Sequence, residues 1–98
     1  MITRIVKMTF REEACSDFLA IFNQFNAAIR QSPGCMYLRL YRDDHQPNIF
    51  FTYSHWDHEA SLNNYRQSST FQEVWPKTKA LFAAPAEAWT LSLFDEQL

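Results

Sequence analysis

The sequence predicts an α+β domain of ferredoxin-like order, β-α-β-β-α-β, with one four-stranded antiparallel sheet. Three observations predict it. Side chains alternate at period two over residues 2–10, 35–42 and 88–94, and residues 49–56 are rich in β-branched and aromatic side chains. In the two long intervals between strand segments, apolar residues recur instead at the three- and four-residue spacing of a helix. The middle connection is a short polar turn, which with the strands on either side reads as a hairpin.

The first strand, Ile2 to Phe10, sets Val6, Met8 and Phe10 on one face and Ile5, Lys7 and Thr9 on the other. Thr9 and Glu12 have the spacing of a capping box and predict a prompt helix start. That helix carries a stripe of Phe18, Ile21, Phe22, Phe25 and Ile29, and Ser32-Pro33-Gly34 ends it. In the next strand Met36, Leu38 and Leu40 oppose Tyr37, Arg39 and Tyr41. Asp43 to Asn48 turns the chain into a strand rich in β-branched and aromatic residues, Ile49 to Trp56.

Asp57 is the expected N-cap of a second helix over about His58 to Gln67, which Ser68-Ser69-Thr70 interrupts. Thr70 and Glu73 suggest a new capping box, with Phe71, Val74, Trp75, Thr78 and Phe82 as the stripe. Pro76 falls inside it and predicts a kink or a break. After Ala83-Ala84-Pro85, Ala88 to Phe94 reads as the last strand. No repeat or linker divides the chain, so residues 1–98 are expected to form one domain.

A chain of 98 residues buries only roughly 60–65% of the surface of its unfolded form, so its core is modest. Apolar residues make up 47% and charged residues 20%, which marks a folded chain and not a disordered one. The net charge of −2, with lysines and arginines scattered, argues against a nucleic-acid partner. No apolar run reaches the ~20 residues of a membrane helix, and no signal-peptide pattern opens the chain, so the expected location is cytoplasmic. Cys15 and Cys35 have a spacing that permits a disulfide; without an export signal, free buried thiols are the adopted reading.

Two helices cover one face of such a sheet and leave the other open. Tyr37, Tyr41, Phe51 and Tyr53 share the parity expected on the open face. Each presents on the order of 150 Å² or more, and together they exceed the patch a soluble monomer normally exposes. A homodimer, sheet against sheet, is the expected solution.

Pro33-Gly34-Cys35 leads into a hairpin whose second strand ends Tyr53-Ser54-His55-Trp56, followed by Ala60, Leu62, Asn64-Tyr65-Arg66, Ser69 and Phe71. In these residues the chain resembles the antibiotic biosynthesis monooxygenase domain family, the dimeric α+β barrels, over essentially its whole length. The resemblance implies a ligand pocket between sheet and helices in each subunit. It also implies the activities known there: cofactor-free oxygenation of quinol or polyketide-like aromatics, or haem degradation. Trp56 matches the strand-ending tryptophan. Thr52 and Leu62 stand where the polyketide oxygenases place an asparagine and a tyrosine.

The haem-degrading pattern departs further. The first strand has no asparagine, Trp75 occupies the place of the haem-ligating histidine, and Tyr65 that of the catalytic tryptophan. Tyr65 also replaces a histidine common in the quinol-type members.

Trp56, Phe71 and Trp75 are the candidate substrate-binding residues, as the aromatic walls a flat apolar ligand favours; the alternative for each is core packing. Asn64, Tyr65 and Arg66 offer donors for an anion, but adjacent helix positions point in different directions. Arg66 is read as solvated, which leaves Tyr65 and Asn64 as the candidate catalytic residues. His55, Asp57 and His58 straddle a strand-to-helix junction and lack the fixed geometry of a metal site, so neither metal nor other cofactor is expected. Two functions remain open: a cofactor-independent monooxygenase of a small electron-rich aromatic, and a non-catalytic dimeric module that binds a small apolar ligand.

Overall fold

The computed structural model describes residues 1–94. Strand β1 (Ile2–Phe10) runs through a single 3-10 turn, Glu12–Ala14, into α1 (Cys15–Arg30). The hairpin of β2 (Cys35–Arg42) and β3 (Ile49–Trp56) follows, then α2 (Glu59–Arg66), α3 (Ser69–Lys79) and β4 (Phe82–Ser92). The sheet order is β2-β3-β1-β4, with every neighbouring pair antiparallel. This is the ferredoxin-like α+β arrangement, with its second helix in two pieces.

Register carries the two-faced pattern across the sheet. Met8 pairs with Phe50, Val6 with Thr52 and Arg4 with Ser54, and this face lies under the helices. The core forms where Met8, Phe10 and Phe50 meet Phe18 of α1. Phe10 is fully buried, with its ring centroid 4.2 Å from that of Phe18 and 5.9 Å from that of Phe50. On the other face Tyr53 stands edge-on to Tyr37 and to Tyr41, at 5.9 and 6.4 Å. Across β1 the register adds Ile5 beside Tyr53 and Trp89 beside Ile5. Tyr41, Trp89 and Leu91 are 52, 43 and 45% exposed, so the open face presents large apolar groups that no described residue covers.

Several local expectations give way to stronger constraints. Thr9 remains in the strand, paired with Ile49, and cannot cap a helix; α1 begins only at Cys15 and has no side-chain cap. The α3 cap is Ser68, whose Oγ accepts from the Phe71 N–H at 3.2 Å, so Thr70 falls within the first turn. At α2 the extended cap residue is His58, and Asp57 sits one position earlier. The Asp57 carboxylate still holds the turn, accepting from the His58 N–H at 2.7 Å and the Ser61 hydroxyl at 2.6 Å.

Pro76 does not break α3, which runs continuously from Ser69 to Lys79. Proline withholds the donor that the Gln72 carbonyl would receive, but both residues are exposed and water can serve that carbonyl. Strand β4 starts six residues earlier than expected and ends at Ser92, short of Phe94. It includes Pro85, which lies where the register slips between the Lys7–Glu87 and Thr9–Ala84 pairs. An irregular site on an edge strand tolerates a residue with no N–H. A second slip, between Cys35 and Tyr37, leaves Met36 61% exposed although it shares the parity of Leu38.

Gly34 joins the hairpin to α2. Its φ of 85° is left-handed, and its carbonyl accepts from the Asp57 N–H at 2.9 Å. A Cβ at this position would collide with Asp57 Oδ1 and with the Ser61 side chain. Backbone conformation and close approach both require glycine here.

Candidate functional site

A cavity of about 230 Å³ lies between the sheet and the helices. Its floor is the helix-facing side of the sheet, including Val6, Met8, Leu38, Thr52 and Ser54. Ala86 and Ala88 extend that floor on β4, and their small side chains leave the space that larger residues would fill. The far wall is aromatic and comes from β3, α2 and α3.

Four of the five expected site residues form that wall as one continuous ladder. Tyr65 stacks on Trp56 with centroids 5.2 Å apart and planes 27° apart. Phe71 meets Tyr65 edge-on at 5.3 Å and stacks on Trp75 at 5.8 Å. The helical spacing of Tyr65, Phe71 and Trp75 across the α2–α3 break sets them along one side of the cavity. Asn64, the fifth, is exposed and does not line the cavity.

Trp56 is both core and wall, since it is 1% exposed and also lines the cavity. Its indole Nε1 donates to Ser54 Oγ at 3.0 Å, so its polar atom is occupied and it offers only its ring. Tyr65 differs. Its hydroxyl makes no hydrogen bond among the described residues, and burial, helped by the nearby Cys35, pushes its pKa up to about 12. It stays protonated at neutral pH and can donate but not act as a base. Cys35 is itself free, as is Cys15, and burial pushes its thiol up despite the Tyr37 carbonyl and Arg30.

Arg4 and Arg66 also line the cavity. Arg66, expected to be only solvated, is exposed yet reaches the rim; Arg4 was not among the expected site residues. A sequence signal for Arg4 existed, because it shares the parity of Val6 and Met8 and so puts a charge on an apolar face. Among the described residues no histidine, carboxylate or lysine lines the cavity. His55 lies on the opposite face, 5.0 Å from Tyr53 and 5.1 Å from Tyr37 between ring centroids, with Nε2 buried and unpartnered. Among the described residues no three histidine, cysteine, aspartate or glutamate side chains gather as a metal site would need.

The family model described as antibiotic biosynthesis monooxygenase matches residues 1–76. The chain belongs to the antibiotic biosynthesis monooxygenase family. A curated relative, an uncharacterized protein of Synechocystis sp., is 32% identical over 81 residues, covering 83% of this chain and 55% of that protein. The chain thus spans about half the length of that relative.

Among solved structures, one described as an antibiotic biosynthesis monooxygenase superposes with a TM-score of 0.91 at 20% identity, covering 97% of this chain and all of that one. A conserved protein from Methanosarcina mazei superposes with a TM-score of 0.88 at 21% identity, over 93% of this chain and 91% of that one. A protein from Mycobacterium tuberculosis gives 0.88 at 19% identity, over 97% and 96%. At these identities the likeness to the solved structures is one of fold. No helix of the described residues is long and apolar enough to cross a membrane.

Proposed function

We propose that the chain is a cofactor-independent monooxygenase of a small, electron-rich aromatic, a quinol or a compact polyketide-like phenol. The supporting observation is a cavity with an aromatic wall whose only ionisable groups among the described residues are hydrogen-bond donors: the Tyr65 hydroxyl and the guanidinium groups of Arg4 and Arg66. Such a site favours the ionised form of a phenol without a protein base, because donors held in a partly dry cavity stabilise the anion and lower the substrate's own pKa. The ring face would lie along Trp56, Phe71 and Trp75. Asn64 has no part in this reading.

Once ionised, the ring is a one-electron donor to O₂, and the resulting radical pair collapses to a hydroperoxide that loses water. For a naphthol the balance is naphthol plus O₂ to naphthoquinone plus water, with the substrate supplying every electron. The absence of a base among the lining residues equally supports a second reading, a binding module of the same fold that holds such an anion without turning it over. In either case we take the active form to be a homodimer joined through the open sheet face, located in the cytoplasm.

An oxygen electrode distinguishes the two. A panel of naphthols, dihydroxyaromatics and anthrones, with no added flavin, metal or nicotinamide, should include one consumed with O₂ uptake. Tyr65→Phe should then slow turnover roughly 10²-fold or more, as loss of one anion-stabilising donor does. Binding of panel members with no O₂ uptake favours the binding module.

A further inference from the structure

Arg4 and Arg66 go beyond what a phenolate requires. Arg4 stands on the helix-covered face of β1, between Ile2 and Val6, where a charge loses hydration. Its Nη1 donates to Thr90 Oγ1 at 2.7 Å, which fixes the group but supplies no negative charge. Burial, and then the charge of Arg66, lower the Arg4 pKa from its ordinary value. Among the described residues the ion pairs are Lys7–Glu87, Arg11–Glu13 and Lys77–Glu73, so neither cavity arginine has a carboxylate partner.

Two like charges that face one cavity repel each other, and an anion between them relieves both. The guanidinium fork matches a carboxylate in shape, and charge-assisted bonds of this kind are roughly twice as strong as neutral ones. Among the described residues the rest of the lining is mostly apolar and aromatic, and of its hydroxyl residues Thr52, Ser54 and Thr78, the last two are engaged with Trp56 Nε1 and the Val74 carbonyl. At about 230 Å³ the cavity falls below the ~300–1,000 Å³ of drug-sized sites, which limits the ligand to one or two fused rings.

We propose that the cavity takes a one- or two-ring aromatic carboxylic acid, its carboxylate held between Arg4 and Arg66 and its rings along the Trp56–Tyr65–Phe71–Trp75 wall. This rests on the preceding section only in taking that cavity as the ligand site. A carboxylate is ionised throughout the neutral range, so it anchors the ring before any hydroxyl ionises and leaves Tyr65 to the reacting oxygen.

Calorimetric titration with 1-hydroxy-2-naphthoate and with 1-naphthol at pH 7.5 tests it. The acid should bind at least 10-fold more tightly, and Arg4→Gln and Arg66→Gln should each remove most of that preference. Equal affinity for the two probes overturns the proposal, as does a preference that survives both substitutions. A readout that needs no variant is salt: raising KCl from 50 to 500 mM should weaken the acid's Kd and leave that of 1-naphthol nearly fixed. A salt-independent Kd for the acid overturns the proposal. Oxygen uptake measured on the same samples separates the two claims. Preference for the acid without uptake supports this inference and counts against the oxygenase alone; uptake without that preference overturns this inference and leaves the oxygenase.

Discussion

Replacing Tyr65 by phenylalanine should make the fold more resistant to alkali. The hydroxyl is held in a low-dielectric setting that raises its pKa from 10 to about 12, with no hydrogen bond among the described residues to offset the burial. The folded chain therefore keeps this proton more tightly than the unfolded chain. Stability from this group is fully present below pH 10 and drains away as pH rises from 10 through about 12. Over that whole interval the gap is worth about 2.7 kcal/mol, and at pH 11 about half of it has gone, on the order of 1.4 kcal/mol. For a domain of this size that corresponds to roughly 5–10 °C in melting temperature. Urea or thermal unfolding at pH 8 and pH 11 checks it. Wild type and Tyr65→Phe should agree within about 1 kcal/mol at pH 8, because the ring and its stack on Trp56 remain. At pH 11 the variant should be the more stable by about the amount above. If both chains lose the same stability between the two pH values, Tyr65 is not a buried, protonated donor, and its proposed part in anion stabilisation falls with it.

Gly34→Ala should destabilise the chain by about 2–4 kcal/mol, from the left-handed backbone and the collision with Asp57 and Ser61 together. Adding Ser61→Gly should recover part of that loss in a double-mutant cycle by chemical denaturation, and strict additivity would contradict the contact. The Ser61 hydroxyl, then the His58 N–H, lower the Asp57 pKa below its ordinary 3.8. The stability this carboxylate provides is present above that value and lost as pH falls through its lower folded-state value. Asp57→Asn should therefore flatten the acid limb of a stability–pH curve, and an unchanged limb would refute the assignment. Tyr53→Lys places a charge at the centre of the open aromatic face and should halve the mass seen by light scattering at micromolar concentration. A wild-type monomer under those conditions would contradict the face-to-face dimer.

The strands and the main helical stripe were legible because alternation and helical period are properties of side-chain order alone. Tyr37, Tyr41, Phe51 and Tyr53 could be assigned to one face for the same reason, and the register bears this out. Boundaries were less legible where a local signal competed with a distant partner. The capping-box spacing at Thr9 lost to a strand partner forty residues away, Ile49. The Ala83-Ala84-Pro85 run falls before the strand start expected from the sequence, because the pairing of Ala84 to Thr9 cannot be seen without the first strand in place. Within the site, the aromatic wall could be anticipated from side-chain type and spacing. That Arg66 reaches the cavity rim and Asn64 does not depends on the angle at which α2 lies on the sheet, which no residue of α2 specifies by itself. Arg4 was overlooked because its neighbours in sequence, Thr3 and Ile5, occupy the opposite face and mask its setting.

The slips beside Met36 and Pro85 bear on how copies of this chain behave when crowded. An antiparallel sheet can grow without limit by adding strands at its margins, and each addition exposes a fresh margin. Here both margins are poor templates: β2 carries an irregularity and the charges of Arg39 and Arg42, while β4 carries a residue with no N–H to offer. Stacking of two broad faces behaves differently, because a pair joined that way hides the surface that made it. In the proposed homodimer, dull margins and one adhesive face would steer the chain toward counting to two and stopping, and away from the open-ended polymer that two exposed edge strands could otherwise seed.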